Sequence, residues 1–155
     1  MPKFKNILII GLGMMGGSLC KSIKKNKLSK KISAFDTDQD ALSYASKNRI
    51  IDYKVTDLGK MEHPDLVIIC TPLSSYRSIA KEILYTVKKS TLVTDIGSSK
   101  GSTHRTITKL FHDSNKSFLS SHPMVGSEKS GVKSTRKDMY KNKIVFILDL
   151  SLIHI

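Results

Sequence analysis

The spacing of apolar residues changes abruptly near the start of the chain. Residues Phe4 to Ile10 contain an unbroken apolar run, Ile7-Leu8-Ile9-Ile10, that stops at Gly11, the pattern of a strand buried on both faces. From Met14 onward Gly16, Leu19, Cys20, Ile23 and Leu28 share one helical face and the lysines take the other. The period therefore switches from strand to helix across the glycines, which predicts a β-turn-α unit.

The unit then recurs. Residues 31–36 predict a second strand, and a helix from Asp38 to Lys47 follows, with Asp38 as its N-cap and Ala41, Leu42 and Ala45 facing inward. A weak strand at Tyr53 to Thr56 precedes the strongest one, Leu66 to Cys70, which ends at Thr71-Pro72. A helix capped by Ser74 or Ser75 is expected to run towards Lys89. Thr91 to Ile96 is the next strand, broken by Gly97-Ser98-Ser99-Lys100-Gly101, and a helix continues to about His112. Ser117 to Ser121 predicts a strand ending at His122-Pro123, followed by a loop, a short helix near Lys133 to Tyr140 and a last strand from Lys143 to Leu148. Strands alternating with helices predict an α/β fold, a parallel sheet with helices on both faces.

Composition changes this picture little. A chain of 155 residues with 39% hydrophobic and 25% charged positions suits one globular domain. No apolar run reaches the roughly 18 residues of a membrane helix, and Met1-Pro2-Lys3 leads straight into a strand without a signal core, so a cytoplasmic protein without membrane contact is expected. Cys20 and Cys70 lie in apolar stretches with no metal-type spacing and read as buried thiols in a reducing compartment; no metal site is expected. The formal charge of +13 raises a nucleic-acid partner, but the lysines recur on helix exteriors without interleaved aromatics or an Arg-rich helix, which favours a solvated face.

Chemistry concentrates where strands end. Gly11-Leu12-Gly13-Met14-Met15-Gly16 is G-x-G-x-x-G set between strand and helix, the arrangement of a Rossmann dinucleotide site. The first glycine permits the turn, the second admits a pyrophosphate, the third lets the helix pack closely, and the helix N-terminus points N–H groups at the phosphates. Asp36, twenty residues beyond Gly16 at the end of the second strand, can accept ribose hydroxyls and repels a ribose phosphate, so NAD is favoured over NADP. Asp38 or Asp40 could instead be the helix-capping acid with Asp36 a turn residue. Thr71-Pro72, Gly97-Ser98 and His122-Pro123 each follow a strand at the edge where such sheets place ligands. Thr71 suits a strand-terminating Thr-Pro as well as a nicotinamide contact, and Ser98 suits a helix cap as well as a site group. Of the five histidines, His122 alone stands at a strand end among such groups, whereas His63, His104 and His112 fall in loops or on charged helices. His122 is thus the preferred acid–base candidate, although a lone histidine is more often structural.

Residues 95–100, Asp-Ile-Gly-Ser-Ser-Lys, and 122–131, His-Pro-Met-Val-Gly-Ser-Glu-Lys-Ser-Gly, taken with the glycine loop, resemble the prephenate and arogenate dehydrogenases of tyrosine biosynthesis. From Gly11 to Ile147 the order of motifs is similar to that family's N-terminal domain. The resemblance implies NAD-dependent oxidation of the ring hydroxyl of prephenate or arogenate with loss of carbon dioxide, giving 4-hydroxyphenylpyruvate or tyrosine. It implies that His122 draws the proton from the C4 hydroxyl, Ser98 orients that imidazole, and Glu128 lies near the substrate entrance.

Family members continue from the last strand into a helical C-terminal domain that makes the homodimer and supplies an arginine to the substrate. Residues 149–155 match nothing in that continuation. The expectation is a dinucleotide-binding domain over 1–148 with an atypical tail over 149–155, the helical dimerisation domain absent and the chain inactive alone. Two other functions compete: a stand-alone NAD-binding or redox-sensing module, and a hydroxyacid dehydrogenase of another Rossmann family, which leaves residues 122–131 unexplained.

Overall fold

The computed structural model describes residues 2–148, so the expected tail at 149–155 lies outside the described residues. Seven strands form one sheet in the order β3-β2-β1-β4-β5-β6-β7. They are β1 (Phe4–Ile10), β2 (Ser29–Phe35), β3 (Tyr53–Val55), β4 (Leu66–Ile69), β5 (Leu92–Asp95), β6 (Ser117–Pro123) and β7 (Val145–Leu148). The helices are α1 (Met14–Lys25), α2 (Gln39–Lys47), α3 (Tyr76–Leu84) and α4 (Ser102–Asp113). β1 through β6 pair in parallel.

The apolar run of β1 faces two cores. Leu8 and Ile10 pack on the side of α3 and α4 with Tyr76, Ile83 and Phe111, while Ile7 and Ile9 pack on the other side with Cys20, Ile23 and Leu42. This double burial is why the run does not alternate with polar residues. Between β1 and β4 the chain changes direction across the sheet, and a crevice opens at their carboxyl ends where such folds bind ligands.

Four expectations need correction. β7 runs antiparallel to β6, pairing Pro123 with Val145 and Ser120 with Leu148, so the sheet is not wholly parallel. α3 stops at Leu84 instead of reaching Lys89, and its start is a 3-10 turn over Leu73–Ser75 with no side-chain cap from Ser75. Leu28 is not on α1, which ends at Lys25 and is followed by Lys27 in the left-handed region at φ 51°. The helix expected near residues 133–140 is only a 3-10 turn, Val132–Ser134; beyond it the chain lies as a strap along α1. Arg136 N–H donates to Ser18 Oγ at 2.9 Å, Lys21 Nζ to the Thr135 carbonyl at 2.9 Å, and the Tyr140 hydroxyl to the Met15 carbonyl at 3.0 Å. With the Thr135 carbonyl, the Arg136 N–H and, through Ser22, the Lys137 carbonyl satisfied by α1, residues 135–137 need no helical hydrogen bonds of their own.

Candidate functional site

The three glycines of the loop do different work. Gly11 turns the chain out of β1 at φ 98°, and a Cβ there would sit 2.9 Å from the Cys70 carbonyl carbon. A Cβ on Gly16 would lie 1.9 Å from the Gly11 oxygen, so the helix could not approach its own loop with any larger residue. A Cβ on Gly13 meets no protein atom within 4 Å. Packing explains the first and third glycines. The second is explained only by space kept clear beside the start of α1. Gly13 is the N-cap, it gives α1 no side-chain cap, and the first turn has no acid, which leaves N–H groups and a positive helix end for an anion.

Asp36 reaches back to this loop. Its Oδ2 accepts the Leu12 N–H at 2.5 Å and its Oδ1 the Asp38 N–H at 2.9 Å. Asp38 caps α2 by accepting from Asp40 N at 2.9 Å and Ala41 N at 3.0 Å. The capping role therefore belongs to Asp38, and Asp36 is the acid that braces the glycine loop. The Leu12 side chain is fully buried, so only its backbone serves the site.

A cleft of about 490 Å³ opens along the carboxyl ends of the strands. Gly13, Met14, Met15, Thr71, Ser98 and His122 line it, with Pro72 and residues 125–127 and 129–131. Residues distant in sequence are thus brought to one rim, as expected. Thr71 Oγ1 is buried there without a hydrogen-bond partner. A stranded hydroxyl costs free energy unless a ligand satisfies it, which favours a ligand contact over simple strand termination. Ser98 does not cap α4, whose N-cap is Gly101. Ser98 and His122 share the cleft, with no hydrogen bond joining them among the described residues. Glu128 is exposed and outside the lining, while its neighbours Ser127 and Lys129 are in it. Among the lining residues Lys129 is the sole Lys or Arg, and none is Asp or Glu.

One cluster was not anticipated. His104, expected on a charged helix, is fully buried, with Nε2 2.8 Å from Asp95 Oδ2. Lys100 Nζ donates to the same oxygen at 2.7 Å, and the Tyr76 hydroxyl lies 3.2 Å away. His104 Nδ1 has no partner, so the tautomer carrying its hydrogen on Nε2 avoids a stranded N–H. Burial by itself raises the Asp95 pKa, but the hydrogen bonds from Lys100 and His104, the Lys100 charge and the Gly97 N–H outweigh it and hold the carboxyl below its ordinary value. Burial pulls the Lys100 ammonium down against the raising effect of Asp95. With so many donors on Asp95, carboxylate and ammonium is the state that the geometry supports. The sequence carried a signal for this cluster. His104, Ile107 and Phe111 are spaced by three and four, which puts the imidazole on the inward stripe of α4.

The two thiols are not poised to react. Burial pushes Cys20 up to about 12 and raises Cys70 well above the ordinary thiol value. Among the described residues no group of three or more His, Cys, Asp or Glu could hold a metal ion, and no helix is long and apolar enough to cross a membrane.

Residues 19–151 match the family model described as prephenate dehydrogenase, nucleotide-binding domain. A prephenate dehydrogenase of Lactococcus lactis subsp. cremoris is 34% identical over 139 residues, covering 89% of this chain and 39% of that protein. One of Bacillus subtilis is 31% identical over 138 residues, covering 88% and 37%. The crystal structure of a prephenate dehydrogenase from A. aeolicus, in complex with hydroxyphenyl propionate and NAD+, superposes with a TM-score of 0.87 at 35% identity, covering 94% of this chain and 50% of that one. The chain thus spans half or less of the length of these relatives.

Proposed function

This chain belongs to the prephenate dehydrogenase family, in the region of its nucleotide-binding domain, and from that premise we propose that it holds NAD(H) for the oxidative decarboxylation of prephenate or arogenate. The observation that carries the reading is the cleft itself: a clear space at Gly13, an unpartnered Thr71 hydroxyl, Ser98 and His122 all meet at one rim.

The residues present fit the dinucleotide. Met14 and Met15 begin α1 beside the space at Gly13 and offer N–H groups to a pyrophosphate. Asp36 offers its remaining lone pairs to the ribose hydroxyls, and no Lys or Arg follows it in Thr37-Asp38-Gln39-Asp40 to welcome a 2′-phosphate. Thr71 and Pro72, in the cleft lining, would hold the nicotinamide. NAD+, when bound, supplies the acceptor for the hydride that leaves C4 of the substrate.

His122 accepts the C4 hydroxyl proton as that carbon becomes a carbonyl. The ring carboxylate, on the carbon opposite C4, leaves as carbon dioxide, its bonding electrons pass through the ring to the C4 oxygen and aromatise the ring, and the phenol oxygen recovers a proton. Ser98, in the same cleft lining as His122, is assigned to orient the imidazole, and Glu128, next to Lys129, to the substrate entrance. Aromatisation supplies much of the driving force, so the protein chiefly has to place the reacting atoms and take up one proton.

Prephenate carries two carboxylates, and Lys129 is the one lining cation these residues bring to them. On this reading the chain binds NAD alone but turns over substrate well only with a further surface that supplies a second cation and excludes water. Formation of NADH from prephenate and from arogenate tests the reading in a protein that contains this domain. His122→Asn is expected to leave NAD+ affinity within about twofold while lowering turnover at least about a hundredfold. Near-normal turnover by His122→Asn would remove the assigned mechanism.

A further inference from the structure

The parallel ladder between β5 and β6 ends at Thr94 and Leu119, short of His122. Beyond that point side chains take over from the ladder. Asp95 Oδ1 accepts the Ser121 N–H at 3.1 Å and the Ser120 hydroxyl at 3.3 Å. The Ser121 hydroxyl donates to the Asp95 carbonyl at 2.5 Å, and Lys100 Nζ donates to the Ser121 carbonyl at 2.7 Å. Ser121, the residue immediately before His122, is thereby held through its N–H, its side chain and its carbonyl. The second Asp95 oxygen takes Lys100 at 2.7 Å, His104 at 2.8 Å and the Gly97 N–H at 2.7 Å. Gly97 immediately precedes Ser98. One buried ion pair therefore ties together the two strand ends that carry the candidate chemistry.

We propose that Lys100, anchored on Asp95 and flanked by His104, is a positioning residue for the dehydrogenase reaction: it fixes the Ser121 carbonyl and so sets where the His122 imidazole stands over the cleft. The proposal rests on the reading that His122 is the acid–base group. Lysine suits the place because one ammonium offers three hydrogens in different directions. Two of them meet Asp95 Oδ2 and the Ser121 carbonyl, and His104 Nε2 lies 3.2 Å away. A neutral side chain of equal length would fill the space but release the Ser121 carbonyl. Asp95 is fully buried, and the Lys100 side chain is 12% exposed, so water offers little substitute. Misplacement of a reacting group by about 1 Å can cost about a hundredfold in rate.

Lys100→Met is the direct test. Asp95→Asn/Lys100→Met is its companion, because it leaves no buried unpaired charge and keeps an acceptor for the Ser121 N–H. Each variant is made in the 155-residue chain, where NAD+ binding and the Cε1–H nuclear resonance of His122 are recorded, and in the active protein, where prephenate turnover is followed. The expected result is NAD+ affinity within about twofold of the parent, a shifted and broadened His122 resonance, and kcat lowered about 10- to 100-fold with KM nearly unchanged. A His122 resonance identical to the parent's in a variant that still binds NAD+ would overturn the proposal. So would kcat within twofold of the parent. If the parent protein forms no NADH while the His122 resonance still responds to Lys100→Met, the coupling stands and the assigned reaction is what fails.

Discussion

At Asp36 one carboxylate meets two demands. Its oxygens already accept the Leu12 and Asp38 N–H groups, yet each keeps a further lone pair for a ribose hydroxyl. Asp36→Ala removes the brace of the glycine loop and, on the proposed reading, the ribose acceptor. NAD+ affinity is expected to fall by about 1 to 3 kcal/mol, with a narrower preference over NADP+, measured by calorimetry with each cofactor. Equal affinities in parent and variant would remove Asp36 from the site. Asp95 makes a second prediction at this scale. Its folded pKa lies below the ordinary 3.8, so its stabilisation is complete above that value and is lost as pH falls through the lower folded value. The stability gap between the parent and Asp95→Asn, from urea unfolding, should be full near about pH 6 and shrink below about pH 4. A gap that grows on acidification would contradict the assigned ionic state.

Among the elements, α1 begins at the proposed pyrophosphate site, and the strap over residues 135–140 holds it from outside. Gly17 marks their contact: a Cβ there would lie 2.4 Å from Thr135 Cγ2. Alanine ordinarily gains about 1 kcal/mol over glycine inside a helix. Here a clash costing about 1 to 3 kcal/mol opposes that gain. Gly17→Ala should therefore lower the melting temperature, and adding Thr135→Ser, which deletes the offending methyl, should restore it. A higher melting temperature for Gly17→Ala would show that the strap does not press on the helix. Period alone revealed β1, α1, α2 and β4, because an uninterrupted apolar run and a lysine-backed helical stripe are local patterns. It could not reveal the direction of β7, since a strand of Val145-Phe146-Ile147-Leu148 reads the same in either sense. Nor could it foresee that α1 would satisfy the backbone of residues 135–137, contacts more than a hundred positions apart in sequence. The candidate site was legible where backbone chemistry demands glycine or a strand-end polar group. The Asp95, Lys100 and His104 cluster is hidden from surface charge alone, because His104 lies on the inward stripe of α4 and its partners come from the preceding strand and loop.

Across the whole molecule, 26 Lys and Arg stand against 13 Asp and Glu, and the cleft lining carries no carboxylate among the described residues. Such a field favours anions, which suits both a pyrophosphate and a dicarboxylate substrate. Ile144, just before β7, and Phe146 and Ile147 within it are more than half exposed at the edge of the sheet. No protein atom fills the space beside Gly13, and a bound cofactor is what is expected to use it. Calorimetric titration of NAD+ into the 155-residue chain and into Gly13→Val decides this most directly. The parent is expected to bind one NAD+, and the variant, still folded, is expected to lose at least about tenfold in affinity as its side chain occupies the place proposed for the pyrophosphate. Failure of the parent to bind NAD+, or equal binding by a folded Gly13→Val chain, would contradict the account.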